Sequence, residues 1–152
     1  MIYRAILALN LHQCSYSRTI GTTAVENPSS KIENEMTEAD LKRRTKQFAL
    51  RSMKLVEALP RTLSGKTVGS QLIRSATAVG ANYRSACRGR SPRDFVAKLA
   101  IVEEEADESA YWLELIVESG LMPKSRVEAL LQEADELVRI IAASRRSAQK
   151  RV

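Results

Sequence analysis

Between Met36 and Ala148, apolar residues return at every third or fourth position through four successive runs, and a Pro or Gly stops each of the first three. A 3.6-residue period is the signature of a helix with one buried face, and strands would require a period of two. The first run spans about Glu38 to Leu59, with Leu41, Phe48, Leu55, Val56 and Leu59 as its inward stripe and Pro60 after it. Thr37 and Asp40 form a capping box there, with Asp in place of the usual Glu. The second run spans Lys66 to Arg88, its inner face marked by Leu72, Ala76, Val79 and Tyr83. Gly65 precedes it, and Gly89 is placed to stop it in the left-handed conformation. Ser91, Pro92 and Asp94 give the third run an N-cap, a first-turn proline and a helix-start acid. That run carries Phe95, Leu99, Val102, Ala106, Leu113 and Ile116 inwards and closes at Gly120. The fourth follows Pro123 and runs to about Ser147.

Connections this short make neighbouring helices antiparallel, so the expected fold is an all-α, up-down-up-down four-helix bundle over residues 37–148. Aromatic residues amount to only 5% of the chain, which fits helices better than sheets. Residues 1–36 contain the polar run "YSRTIGTTAVENPSSKIENEM" and predict a mostly disordered tail, or a start codon placed too far upstream of Met36. Residues 149–152 are read as a basic end. The opening "MIYRAILALNL" is followed by no small-residue cleavage site and does not read as a signal peptide. No apolar run approaches the length of a membrane span. Cys14 and Cys87 lie far apart and read as free thiols in a reducing cytoplasm.

Charge is segregated along the chain. From Leu41 to Arg93 there are thirteen Lys and Arg against a single acid, Glu57, for a net +12. From Asp94 to Leu137 there are twelve acids against Lys98, Lys124 and Arg126, for a net −9, and Val138 to Val152 adds +5. Such a partition speaks about partners and assembly rather than about fold.

The second helix sharpens the question. Opposite its inward stripe fall Arg74, Thr77, Ala78, Ala81, Arg84, Ser85 and Arg88, so three guanidinium groups share one face with small residues between them. The third helix has a complementary surplus away from its stripe: Ile101, Glu104, Glu108, Tyr111, Trp112 and Leu115. A helix apolar on two sides is usually buried twice, once in its own bundle and once against another chain. Two readings of the arginines stay open. They pair with Glu104, Glu105 and Glu108, within the bundle or across a subunit boundary. Alternatively they contact phosphate, with Arg90, Arg93 and the Arg43, Arg44 and Lys46 of the first helix.

Catalytic and metal chemistry find little support. A di-iron bundle needs inward Glu and Glu-x-x-His pairs, yet the single histidine, His12, lies outside the bundle. No Ser–His or Cys–His arrangement is available to activate a nucleophile. Gly65-Lys66-Thr67 echoes the end of a phosphate-binding loop without its upstream glycine or strand. The expectation is a non-enzymatic protein without metal or cofactor.

The run "GSQLIRSATAVGANYRSACRGRSPRDFVAKLAIVEEEADESAYWLELI", Gly69 to Ile116, resembles the four helix bundle protein family, the 23S ribosomal RNA intervening-sequence proteins of bacteria. The resemblance extends more weakly over about Met36 to Ala148. It rests on Gln71-Leu72-x-Arg74, on Ala81-Asn82 with Arg84, on Phe95, and on Glu105 and Glu108 before Trp112. It implies a homopentameric ring and kinship with the accessory variability protein of diversity-generating retroelements, a basic pentamer that binds nucleic acid and a reverse transcriptase. RNA binding follows from it only by analogy. Three functions stand: a pentameric scaffold whose arginines are used in assembly, a nucleic-acid-binding ring, and an adaptor whose protein partner docks on Tyr111 and Trp112.

Overall fold

The computed structural model describes residues 36–152, and the expectations placed on residues 1–35, Cys14 and His12 included, lie outside the described residues. Four helices follow one another: α1 Glu38–Glu57, α2 Leu63–Ala86, α3 Pro92–Glu118 and α4 Lys124–Gln149. Contacts join α1 to α2, α2 to α3, α3 to α4 and α4 back to α1, with the last of these seams the sparsest. This is the antiparallel four-helix bundle that the periodicity predicts.

Side-chain oxygens start three of the helices. Thr37 Oγ1 accepts from the Asp40 N–H at 3.1 Å while the Thr37 N–H donates to Asp40 Oδ2 at 3.1 Å, so Asp completes the box as Glu would. Ser91 caps α3 by accepting from the Asp94 N–H at 3.1 Å. The start of α2 differs from the sequence expectation. Thr62 caps it, accepting from the Gly65 N–H at 3.1 Å, so the helix begins three residues before Lys66 and Gly65 sits inside its first turn. Gly65 serves close approach: a Cβ there would stand 2.1 Å from the Pro60 carbonyl oxygen.

Gly89 also departs from expectation. It is not in the left-handed region; among the described residues only Gly120 is, at φ 71°, where it ends α3. With Ser91 already starting α3 two residues later, α2 instead unwinds through tight i→i+3 bonds, Arg88 N–H to Ser85 and Gly89 N–H to Ala86. Helix α4 runs to Gln149, with Ala148 buried, so the bundle reaches slightly into the stretch read as a basic end.

The predicted stripes meet in one core, in which Leu41, Phe48, Leu72, Val79, Tyr83, Leu99, Val102, Leu113, Ile116 and Leu137 are buried. Thr45, Ser52, Ser75, Ser109 and Ser144 are buried too. Each satisfies its hydroxyl on a carbonyl one turn back, and the Ser109 and Ser75 hydroxyl oxygens stand 2.9 Å apart across α2–α3. These small side chains let the helices approach closely. Burial pushes the Tyr83 phenol far above its usual range and the Cys87 thiol up, so both stay protonated near neutrality.

Candidate nucleic-acid interface

The bundle sorts its cations into two groups, those paired across helices and those left free. Arg44 on α1 is in the first. Its guanidinium donates from Nε to Glu133 Oε1 at 2.6 Å and from Nη2 to Glu133 Oε2 at 3.1 Å, and it also bonds Glu136, leaving its side chain 24% exposed. Arg145 clasps Glu103 in the same way between α4 and α3, at 2.7 and 3.4 Å.

Arg74 is paired as well. It bonds Gln71 at 3.0 Å within α2, Glu108 across to α3, and lies 3.8 Å from Glu105. Trp112 Nε1 donates to the same Glu108 oxygen at 3.0 Å, and these bonds hold that carboxyl below its usual range. Glu105 fares differently. Its Oε2 is buried without a hydrogen-bond partner, the distance to Arg74 being too long for one, and burial raises its carboxyl above the ordinary value. Of the acids named for the arginines, Glu105 and Glu108 are engaged within the subunit, while Glu104 is exposed and has no ion pair among the described residues.

Arg84, Arg88 and Arg93 belong to the second group. All three are exposed, and among the described residues none has a carboxylate within ion-pair distance. Arg90, in the α2–α3 turn, has a side chain 92% exposed and sits 3.9 Å from Asp94. Lys46 is exposed and unpaired on α1, whereas Arg43 binds Asp40 at 2.8 Å.

Topology gathers the free arginines. In an antiparallel bundle the C-terminus of α2, the N-terminus of α3 and the C-terminus of α4 lie at one end. Arg84, Arg88, Arg90 and Arg93 therefore share that end with Arg146, Lys150 and Arg151, all exposed. The α4 residues were absent from the sequence-based candidates, although the +5 tail combined with antiparallel order contains the signal. The acids there are already occupied: Glu38 by Lys42, Asp40 by Arg43, and Asp94 by Lys98 at 3.1 Å. Asp94 also accepts the Arg90 N–H at 2.9 Å, which holds it below its usual range and ionised. Among the described residues, the end is thus a field of positive charge whose acids are engaged by neighbours on their own helix.

The outer side of α3 exposes large apolar side chains beside its acids. Tyr111 is 51% and Ile101 45% exposed, with Trp112 and Leu115 half-buried. The Tyr111 and Trp112 rings meet edge to face, 5.0 Å between centroids. Among the described residues no group of three His, Cys, Asp or Glu is placed to hold a metal ion, and no helix is long and apolar enough to cross a membrane.

With this geometry in hand, the sequence comparison is decisive. The family model of the 23S rRNA-intervening sequence proteins matches residues 37–143, the bundle almost end to end. The chain belongs to this family. Its fold recurs in a crystal structure of a protein with unknown function from the S23 ribosomal protein family of Bacteroides thetaiotaomicron VPI-5482. That protein is 28% identical, with a TM-score of 0.64, over 72% of this chain and 97% of the other. Among curated proteins, none matches the chain.

Proposed function

We propose that this family member is a non-enzymatic, ring-forming bundle that binds nucleic acid through the basic end built from α2, α3 and α4. The convergence of cations there carries the reading: Arg84, Arg88 and Arg93 are exposed without an acid partner among the described residues, beside Arg90, Arg146, Lys150 and Arg151. Phosphate backbones are recognised by such fields, with an affinity that falls steeply with salt because counterions released by the bound cations gain less entropy as bulk salt rises. Guanidinium groups add bidentate geometry to the charge.

Ring formation draws on α2 and α3. The two helices pack side by side, so their outer faces look in different directions. Joining one to the other between copies is a heterologous contact, the kind that closes a ring. Between Arg74 and the basic end the α2 face exposes the small residues Thr77 and Ala81, with Ser70 beyond Arg74, and the α3 face projects Tyr111 and Ile101. A pentamer agrees with the family resemblance and would gather five basic ends on one rim, where weak contacts sum by avidity.

The test is binding of labelled structured RNA and duplex DNA over a salt series, with an Arg84→Glu/Arg88→Glu variant weighed by light scattering alongside. The proposal requires binding that weakens steeply with salt and is lost in a variant of unchanged mass. A variant that falls to monomers, or wild type that binds nothing at low salt, supports the scaffold reading instead. Exposed Tyr111 and Ile101 then become the docking face for a protein partner.

A further inference from the structure

The α1–α4 seam changes character along its length. Near its middle, opposite charges meet: Arg44 of α1 holds Glu133 and Glu136 of α4. Two turns further along α1, Arg51 and Lys54 share a groove with Arg126 of α4, so cation faces cation. Ala129 stands one turn before Glu133, where the acids of α4 could have continued, and supplies no counter-charge.

The groove measures about 250 Å³ and is lined by Leu55, Met122, Ala129 and Leu130 besides the three cations. No acid lines it. Met122 and Leu130 are buried and Leu55 half-buried, so the floor is apolar, while Arg51, Lys54 and Arg126 are exposed at the rim. None of the three has a carboxylate within ion-pair distance among the described residues. Glu133, which borders Arg51 in the adjoining hollow, is already gripped through both oxygens by Arg44. The positive end of α4 adds to the same field, because its first turn contains no acid.

We propose that this groove binds a nucleoside phosphate, the phosphate held among Arg51, Lys54 and Arg126 and the flat apolar body resting against Leu55 and Ala129, above the buried Met122 and Leu130. Two guanidinium groups and an ammonium suit a phosphate, which accepts several charge-assisted bonds at once. A free nucleotide and one residue of a single strand offer the same chemistry. The groove lies at the end of the bundle opposite Arg84 and Arg88, so it does not depend on the basic end binding anything.

The experiment uses the full chain and mant-labelled AMP, followed by fluorescence anisotropy at low salt, with inorganic phosphate as competitor. The key variant is Arg126→Glu, which places an acid opposite Arg51 and Lys54 and should fold at least as stably as wild type. Wild type is expected to bind, phosphate to displace the probe, and Arg126→Glu to weaken binding at least tenfold with its melting temperature maintained. Arg84→Glu/Arg88→Glu is expected to bind the probe as wild type does. An unlabelled single-stranded 12-mer that displaces the probe more tightly per nucleotide than AMP identifies a strand as the ligand; displacement by AMP alone identifies a free nucleotide. The proposal is overturned if wild type gives no anisotropy change up to millimolar protein, or if Arg126→Glu binds equally well. It is also overturned if the Arg84/Arg88 variant loses the probe to the same extent.

Discussion

Three glycines on α2 make a stability series whose signs come from geometry alone. A helix interior prefers Ala to Gly by about 1 kcal/mol, so each Gly→Ala change starts with a gain. What the new Cβ meets then decides the outcome. At Gly80 its nearest neighbours are the Thr45 carbonyl oxygen at 3.6 Å and Thr45 Oγ1 at 3.7 Å, ordinary van der Waals contacts. Gly80→Ala should therefore keep the full gain and raise the melting temperature by about 3–6 °C. At Gly69 the Cβ would lie 2.7 Å from Val56 Cγ1, and a valine has little rotamer freedom with which to withdraw. The gain there is cancelled or reversed. At Gly65 the obstacle is the Pro60 carbonyl at 2.1 Å, a backbone atom in the α1–α2 reversal, so Gly65→Ala should cost at least about 2 kcal/mol net. Urea unfolding followed by far-ultraviolet circular dichroism, at one fixed protein concentration, measures all three; holding concentration constant matters because assembly adds to apparent stability. The expected order is Gly80→Ala, wild type, Gly69→Ala, Gly65→Ala, from most to least stable. Destabilisation by Gly80→Ala, or a Gly65→Ala protein as stable as Gly69→Ala, refutes the reasoning.

Glu105 and Glu108 should respond to pH in opposite directions although they flank the same arginine. Burial raises the Glu105 carboxyl, so its ionised form opposes folding above that raised value; Glu105→Gln should stabilise the protein at pH 7, with the gain fading as pH falls to about 4. Bonds from Trp112 and Arg74 lower Glu108, whose contribution is present above its ordinary range and lost as pH falls through the folded value. Glu108→Gln should therefore destabilise at pH 7, and the loss should shrink in acid; each effect should stay below about 1 kcal/mol in thermal melts at the two pH values. For the ring, Tyr111→Asp should lower the mass seen by sedimentation while leaving helix content unchanged, and an unchanged mass would remove α3 from the assembly face.

Much of the fold is written in local signals. The Thr37–Asp40 box and the Ser91-Pro92 start each need only a few neighbouring residues, and the apolar stripes follow from one period, so these features could be read along one dimension. Thr62 was overlooked beside the more conspicuous Gly65, although its hydroxyl is the actual cap. Gly89 looked like a left-handed stop because a glycine ending a helix often is one, yet the immediate start of α3 leaves no room for it. The site was harder to read. Whether an arginine is free depends on the axial register of helices far apart in sequence: Arg44 and Glu133 are 89 residues apart, and Arg145 and Glu103 are 42 apart. Periodicity gives the face on which a residue lies but not its height along the bundle. For the same reason Arg51, Lys54 and Arg126 could not be seen as one cluster beforehand.

The central claim is that cations left free by the fold, rather than those it pairs, contact nucleic acid. The most direct measurement compares RNA affinity at low salt for two double variants of equal charge change, Arg84→Ala/Arg88→Ala and Arg44→Ala/Arg74→Ala. The account predicts that the first loses at least tenfold in affinity and has a shallower salt dependence, while the second binds within about twofold of wild type. Equal losses in the two, or a greater loss in the second, would contradict it.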